Sequence, residues 1–258
     1  MVKRYVGGLL TANELTTTTT AASGFFALTT HAQKKKAGSC PLNWPATPDE
    51  LLAPSGATRL LGLKFNGSSP TLSGTYTVTT VSASYQTTGG IQNTGYLTAP
   101  PSLTGAFTID QLNSAAACLN KTYMAWYKGT QTESGGTYSP SIPIFSDNTN
   151  SVYWGFGISG GKISIATGTQ NKGTTSVNTG SWFHLAWTVT SGGTAKGYVN
   201  GTEEVSVNVT TSYPGTNRIA GGYSYADCAT PSALDSLQIF DGILTSTEIL
   251  SIYLAGVA

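Results

Sequence analysis

The stretch SWFHLAWTVT, residues 181–190, decides the fold class because apolar and less apolar residues alternate along it. Side chains on one face of an extended chain recur with a period of two. Four apolar residues share one such face: Phe183, Leu185, Trp187 and Val189. We predict a strand with this face in a core, and with His184 and Thr188 on the opposite, solvent-facing side. Trp182 shares the His184 face, and we expect the final helix or a loop to cover it in part.

The residues after this strand predict a hairpin, further strands and a closing helix. In GYVNG (197–201), Asn200-Gly201 suits the positive φ angles of a type I′ turn. The run 233–256 places Leu237 and Ile239 in the core. It then continues into a capping box, Thr245 to Glu248, which predicts a helix with Ile249, Ile252 and Tyr253 on one face.

Short strands at regular spacing also precede residues 181–190, from Arg59 onward. This spacing is typical of a sandwich or barrel. Gly160-Gly161 predicts another hairpin turn. The run 74–85 shifts its alternation at Val81, which predicts a hairpin or a bulged strand. The pattern therefore predicts an all-β fold, a sandwich or barrel, over residues 58–258, with a short C-terminal helix and an extended N-terminal arm.

The composition indicates a neutral, hydroxyl-rich exterior. Charged residues make up 10% of the chain, and 41 Thr and 27 Ser take their place. Such exteriors are common in extracellular and virion proteins. A net charge of +1 argues against nucleic acid as a partner, and no run approaches the ~20 apolar residues of a membrane helix. The three cysteines are widely spaced, so we expect reduced thiols, with a Cys118–Cys228 bridge as the alternative.

Residues 1–57 form a segment of different character, Thr- and Gly-rich at first and Pro-rich at its end. We predict an extended arm with a short helix over residues 25–36 that is unfolded alone and ordered on assembly; a disordered tail is the alternative. The expected assembly contacts are Phe25, Phe26, Leu28, Lys34, Lys35 and Lys36. No apolar stretch follows Lys3 and Arg4, so the sequence predicts no secretion signal.

The second half of the chain resembles the laminin-G-like and pentraxin-like branch of the concanavalin A-like fold, over about residues 95–258. The family's motifs are matched in order by Trp182, His184, Leu185 and Ala186, then Tyr198 to Gly201, then Asp235, Leu237, Ile239 and Phe240, then Glu248 and Ile249. This resemblance implies a two-sheet antiparallel jelly-roll sandwich, with the sheets packed face to face, and a structural position for His184.

The N-terminal segment is similar to the openings of many tailed-phage virion proteins. The matching residues are Ser23 to Leu28, then Lys36 to Ser39 and Pro41, with Phe26 and Cys40 standing where those openings have tryptophan. Such openings precede varied C-terminal domains, which implies a common attachment role and a variable outward-facing domain.

Catalysis is not expected. The glucanases that share this fold resemble one another in alternating strand carboxylates, and retaining glycosidases need two carboxyl groups ~5 Å apart. None of the six glutamates lies in such a spacing. Glu203 and Glu204 are adjacent in a hairpin, so they should face opposite ways and solvate a turn.

Two kinds of ligand are expected from loops. No cofactor is required, but the related domains often hold calcium at the sandwich rim, for which the metal candidates are Asp147 and Asp227. For glycans, aromatic rings stack on sugars while Asp and Asn bind hydroxyl groups. The candidate ligand-binding residues are Asp147, Asn148, Tyr153, Trp154, Tyr223 and Tyr225. The alternatives are turn formation by Asp147 and inward packing of Tyr153 or Trp154.

These observations favour a non-enzymatic bacteriophage virion protein, a capsid decoration or fibre-type subunit that displays its sandwich for glycan or host-surface adhesion. Its expected partners are other virion proteins, through the arm, and further copies of itself in a trimer. Assembly in the host cytoplasm would require no secretion signal. A freestanding carbohydrate-binding protein of a cell surface is the main alternative, and a degenerate glycanase is the third.

Overall fold

The computed structural model describes residues 57–65, 70–80, 84–91, 95–98, 106–130, 140, 142–146, 154–167, 169–209, 217–219 and 233–256. In these ranges the chain forms sixteen strands and two helices: β1 (Thr58–Lys64), β2 (Thr71–Ser73), β3 (Val78–Thr80), β4 (Ser84–Gln86), β5 (Tyr96–Thr98), β6 (Phe107–Ile109), α1 (Ala115–Cys118), β7 (Lys121–Lys128), β8 (Ile142–Ser146), β9 (Trp154–Ser159), β10 (Lys162–Thr167), β11 (Gln170–Ser176), β12 (Phe183–Val189), β13 (Thr194–Val199), β14 (Thr202–Asn208), β15 (Asn217–Ile219), β16 (Ala233–Asp241) and α2 (Ser246–Gly256). The predicted assembly contacts lie outside the described residues and stay predictions.

The strands form two antiparallel sheets, which confirms the predicted fold class. The nine-stranded sheet has the order β14-β13-β12-β7-β16-β1-β2, and β5 pairs with β16 beside β1 and carries β4 on its other edge. The seven-stranded sheet has the order β11-β10-β9-β8-β15-β6-β3. Both predicted hairpin turns are present, since Asn200-Gly201 and Gly160-Gly161 have positive φ angles.

The phase shift at Val81 has a different cause from the predicted hairpin or bulged strand. β3, before the shift, pairs with β6 in the seven-stranded sheet, and β4, after it, pairs with β5 in the nine-stranded sheet. The chain therefore passes from one sheet to the other within this run. A new sheet imposes a new buried side, so the alternation restarts.

The main core lies between the two sheets and confirms the predicted facing of β12. Leu185, Trp187 and Val189 are fully buried there, and Phe183 packs against them from a partly buried position. Leu237 and Ile239 of β16 are in the same core, as predicted. Cys118 is a buried thiol of this core, whereas Cys228 lies outside the described residues.

A second core covers the outer face of the nine-stranded sheet, so the prediction that His184 and Thr188 face solvent is wrong. Both residues are 1% exposed. Helix α2 lies over this face and buries Ile249 and Ile252. The strand residues of this cluster are Met124, Ala186, Tyr198 and Phe240. The alternation along β12 cannot reveal this second core, because the small and polar side chains on the outer face fit under a helix as well as in water.

The capping box of α2 is formed as predicted. The Thr245 amide donates to Glu248 Oε2 at 2.7 Å, and the Glu248 amide donates to Thr245 Oγ1 at 3.3 Å. The last residue of the helix, Gly256, lies against the Trp126 ring so closely that a Cβ there would come within 2.3 Å of it. Reciprocal capping satisfies N-terminal amides that have no partner within the helix. The N-terminal end of α2 is therefore capped by its own residues, and its C-terminal end packs against the sheet.

Glu204 connects the two sheets at one edge of the sandwich. The amides of Thr174 and Thr175 in β11 donate to its Oε2 at 2.6 and 2.8 Å, and the hydroxyl groups of both threonines also donate to the carboxylate. The register of β11 with β10 shifts at this point, and such a bulge releases backbone donors from the ladder. Glu204 of β14 supplies the acceptor that these donors need.

Glu203 points the other way, as predicted, and pairs with Lys196 at 3.0 Å on the exposed side of the hairpin. The expectation that both glutamates face solvent at the turn is confirmed for Glu203, whose side chain is partly exposed. It is wrong for Glu204, because that carboxylate bridges two edge strands.

Candidate functional site: an aromatic platform beside helix α2

The sequence-predicted ligand residues lie in two segments next to strands of the seven-stranded sheet. Asp147 and Asn148 follow β8, and Tyr153 precedes β9, of which Trp154 is the first residue. Tyr223, Tyr225 and the calcium candidate Asp227 come between β15 and β16. Apart from the backbone of Trp154, which pairs with Thr167, all of them lie outside the described residues. Their roles remain predictions.

The two segments follow strands that are antiparallel neighbours. β8 and β15 pair with Ser146 opposite Arg218 and Phe145 opposite Ile219, so the chain leaves these two strands in opposite directions.

A group of partly exposed aromatic residues occurs on the nine-stranded sheet instead. Trp182 lies immediately before β12, and its ring meets that of Tyr96 edge to face, with the centroids 5.8 Å apart and the planes at 76°. The Lys128 ammonium, at the end of β7, is 5.9 Å from the centre of the Trp182 ring. We call Tyr96, Lys128 and Trp182 the Trp182 platform. All three side chains are half-buried.

The orientation of Trp182 is fixed by a loop. Its indole N–H donates to the carbonyl oxygen of Gly89 at 3.2 Å. That loop is itself held to the sheet, because the Ile91 amide donates to Asp235 Oδ2 at 2.9 Å. The expected partial cover of Trp182 is therefore present, and among the described residues it comes from the loop before β5.

Asp235 is the buried support of this region. It is fully buried on β16, where the register with β7 shifts and Ser236 has a φ of 46°. The Ser236 amide donates to Asp235 Oδ1 at 2.7 Å, so both carboxylate oxygens accept backbone N–H groups. A buried carboxylate needs such donors, and here they come from its own bulge and from the loop under Trp182.

The β4–β5 hairpin extends the platform with polar side chains. Leu97 is fully buried and Tyr85 stacks on Phe65 in the main core, so both face inward. Residues that alternate with them share the outer side of the hairpin, and Gln86 lies directly opposite Tyr96. The remaining members of this outer row are Ser84 and Thr98. A half-exposed aromatic ring with amide and hydroxyl groups beside it is suited to a sugar, whose rings have both apolar faces and hydroxyl edges.

Farther along the same face, next to the platform, the structure is closed. His184 is buried between Trp126, whose ring centre is 5.2 Å away, and Tyr253 of α2. Burial lowers the pKa of His184 to about 3, so the ring is neutral across the physiological range. His184 therefore has the structural position that the resemblance implied.

Every acidic residue that the structure describes already has a partner in the fold. The six are Asp110, Glu203, Glu204, Asp235, Asp241 and Glu248. Their partners, in that order, are Thr77, Lys196, the Thr174–Thr175 pair, the Ile91 and Ser236 amides, Lys121 and Thr245. Among the described residues, no three His, Cys, Asp or Glu side chains cluster as a metal site would require. In the same part of the chain, neither helix is long and apolar enough to cross a membrane.

Sequence reasoning identified Trp182 as unusual but missed Tyr96 and Lys128 as its companions. Trp182 was recognisable because a tryptophan on the polar face of an alternating strand breaks the pattern. Tyr96 and Lys128 lie 86 and 54 positions away in the chain, and they meet Trp182 because β5 pairs with β16, β16 with β7, and β7 with β12.

Comparison with known proteins agrees with this fold. The family model described as the concanavalin A-like lectin/glucanases superfamily, of laminin G type, matches residues 92–250. This match spans more than half of the chain, and the protein therefore belongs to that superfamily. No curated protein matches the chain at a significant level.

Solved structures show the same architecture at low identity. Domain 4 of AbnA, a GH43 extracellular arabinanase from Geobacillus stearothermophilus solved with arabinotriose, is 21% identical, with a TM-score of 0.54, and the match covers 76% of this chain and 98% of that domain. The binding domain of Paraclostridial Mosquitocidal Protein 1 is 11% identical, with a TM-score of 0.55 and coverage of 76% and 52%. The botulinum neurotoxin type G receptor binding domain is 18% identical, with a TM-score of 0.52 and coverage of 76% and 51%. The chain thus matches about half of each toxin domain, and these likenesses show the fold.

Proposed function

We propose that this protein is a non-enzymatic adhesion protein that binds glycans through its lectin-type sandwich and is displayed on a bacteriophage particle. The observation that supports the non-enzymatic part best is the engagement of all six described acidic residues in the fold. A glycosidase of the usual kind needs two carboxyl groups that face a common substrate. Carboxylates committed to helix capping, ion pairs and a β-bulge are not available for that role.

The chemistry of the exposed surface and the kinds of similar protein support glycan binding. The Trp182 platform presents aromatic rings and polar groups together, which is the combination that recognises sugars. Domain 4 of the extracellular arabinanase AbnA was solved in complex with arabinotriose, and the two similar toxin structures are described as binding domains. Glycan recognition by a sandwich of this kind is therefore the simplest function for the domain.

The virion setting rests on the sequence of the N-terminal segment. Residues 23–41 are similar to attachment segments of tailed-phage virion proteins, and Phe25, Phe26 and Leu28 would supply apolar contacts to a neighbouring virion protein. A capsid decoration or fibre-type subunit with an outward-facing sandwich fits this arrangement. The predicted site for glycans in the loops, with Asp147 and Trp154 among its residues, belongs to the same proposal, and so does a calcium ion at Asp147 or Asp227.

Glycan binding is tested by presenting the full-length chain to a panel of neutral and acidic polysaccharides and measuring retention and the release of reducing ends. We expect retention on at least one polymer with no release of reducing ends. Release of reducing ends by the purified chain would contradict a non-enzymatic role, and no retention on any polymer would contradict glycan binding.

The proposed location on the phage particle is tested separately, by centrifugation of intact particles. We expect the protein to co-sediment with particles and to stay in solution once residues 1–57 are removed. A protein that is found on the surface of uninfected cells and not on particles would instead be the freestanding carbohydrate-binding protein of the alternative hypothesis.

A further inference from the structure

We propose that the Trp182 platform is a subsite for a sugar that carries a carboxylate, such as a uronic or sialic acid residue. This inference rests on the proposed glycan-binding function and specifies the class of ligand. It starts from the three side chains that the fold brings together at one end of the nine-stranded sheet, Tyr96, Lys128 and Trp182.

The first step is the charge of Lys128. Among the described residues, the ion pairs are those of Lys121 with Asp241 and of Lys196 with Glu203, and no carboxylate lies within pairing distance of Lys128. The nearby carboxylate of Asp235 is buried, and both of its oxygens accept backbone N–H groups. Lys128 thus presents an ammonium whose near neighbour is an aromatic ring, and an arriving anion meets an attractive charge at the surface.

The second step is the rigidity of the aromatic part. The Trp182 indole is held by its hydrogen bond to Gly89, and the Gly89 loop is held by the Asp235–Ile91 hydrogen bond. The Tyr96 ring supports the Trp182 ring from the side. Because the rings are already oriented, binding a ligand costs little side-chain conformational entropy.

The third step is the match between this geometry and a ligand. The ammonium lies 5.9 Å from the centre of the Trp182 ring, so a sugar that packs against the indole lies beside a cation. A pyranose that packs on the aromatic residues can therefore place its carboxylate at Lys128. Gln86, opposite Tyr96 on the outer side of the β4–β5 hairpin, is exposed and can bind a sugar hydroxyl group. A neutral sugar would find the stacking surface and the amide but would leave the ammonium without a partner.

The test uses the full-length chain and two matched pairs of probes: trigalacturonate with its methyl ester, and sialyllactose with the methyl ester of its sialic acid residue. Each pair keeps the sugar skeleton and removes the charge. Titration calorimetry at low and physiological salt gives the dissociation constants. We expect at least one acidic sugar to bind about tenfold more tightly than its neutral partner, with the difference shrinking as salt increases, because a charge-assisted contact contributes about this factor.

Two variants connect that preference to the platform. Lys128→Gln should abolish the acid-over-neutral difference and leave weak binding of both sugars, while Trp182→Ala should weaken both by about tenfold or more. Lys196→Gln is the matched control, because it removes a lysine of the same sheet that is already paired with Glu203; its binding should equal that of the unmodified chain. Circular dichroism and thermal melts verify that the variants are folded.

The outcomes separate this inference from the proposed function. Equal binding of acidic and neutral sugars by the unmodified chain, or an acid preference that survives Lys128→Gln in a folded protein, overturns the acidic subsite while glycan binding stands. If polysaccharide panels and all four probes fail to bind, both proposals are overturned.

Discussion

Trp187 shows at the scale of one residue how the main core is built. It is fully buried between the sheets, stacks on Phe156 with centroids 5.6 Å apart and planes at 9°, and meets Phe145 edge to face. Its neighbour Thr188 is also buried, but in the smaller layer next to helix α2. The two residues differ in the volume of core that each one fills, and this difference decides the cost of replacing them.

We expect Trp187→Ala to lower the free energy of unfolding by about 3–5 kcal/mol, as large-to-small core substitutions do. Thr188→Ala should cost about 1–2 kcal/mol, because the side-chain hydrogen bond between Thr188 and Tyr198 and one buried methyl group are lost. That value exceeds the small effect of a surface change. Urea denaturation of both variants measures the two free energies. A larger loss for Thr188→Ala would mean that β12 faces the cores in the opposite sense.

His184 should make the protein sensitive to mild acid. Burial lowers its pKa to about 3 from an ordinary value of 6.5, so the unfolded state binds a proton that the folded state does not. The stability contributed by neutral His184 is present above pH 6.5 and is lost as the pH falls below it. Between pH 7 and pH 5 we expect the free energy of unfolding to decrease by about 2 kcal/mol from this residue.

Comparison of the unmodified chain with His184→Gln by urea denaturation at several pH values isolates this effect. The variant has a lower stability at pH 7 but should show a flatter dependence between pH 5 and pH 7, since glutamine does not titrate. Every other ionisable group is common to both proteins, so it cancels from the difference in slope. Parallel curves would contradict the assignment.

At the scale of secondary-structure elements, the contact between β11 and β14 closes one side of the sandwich through Glu204. Burial by itself raises the pKa of Glu204, but the hydrogen bonds from Thr175 and Thr174 outweigh it, and the net pKa is lower than the ordinary value of 4.5. The carboxylate is therefore bound more strongly when ionised. Its contribution to stability is present above pH 4.5 and is lost as the pH falls through its folded pKa.

We expect Glu204→Gln to lower the free energy of unfolding at pH 7 by about 2 kcal/mol, since charged acceptors of backbone amides are replaced by a weaker one. Glu203→Gln is the matched control and should cost less than about 1 kcal/mol, because its ion pair with Lys196 is solvent-exposed. Hydrogen exchange gives an independent measurement: the amides of Thr174 and Thr175 should lose protection in the Glu204 variant alone. Unchanged protection would show that Glu204 does not hold the bulge.

At the scale of the whole molecule, the seven-stranded sheet covers one face of the nine-stranded sheet and helix α2 covers the other. The N-terminal arm, residues 1–57, is expected to mediate assembly. Fibre and decoration proteins are usually closed symmetric assemblies, and cyclic symmetry is common among homo-oligomers. We expect a trimer. Multi-angle light scattering of the full-length chain at micromolar concentration measures its mass, and a monomer both in solution and in the particle would contradict this expectation.

The sequence alone predicts the all-β class, the inward face of β12, the two hairpin turns and the capping box of α2. Each of these depends on residues that are neighbours in the chain: a period of two, Asn-Gly and Gly-Gly pairs, and a Thr three residues before a Glu. Local patterns predict them because local geometry causes them. The superfamily resemblance could be seen for the same reason, since its motifs are short.

What covers the outer faces of the sheets depends on tertiary packing. His184 and Thr188 look like surface residues in sequence, and they are buried because α2, more than fifty residues later in the chain, packs over them. Glu204 looks like half of a solvated turn, and it bridges two sheets because β11 bulges toward it. The Trp182 platform joins residues from three distant segments. Alternation along a strand indicates which side faces the main core between the sheets. Contacts between distant segments depend instead on how the sheets and the helix pack.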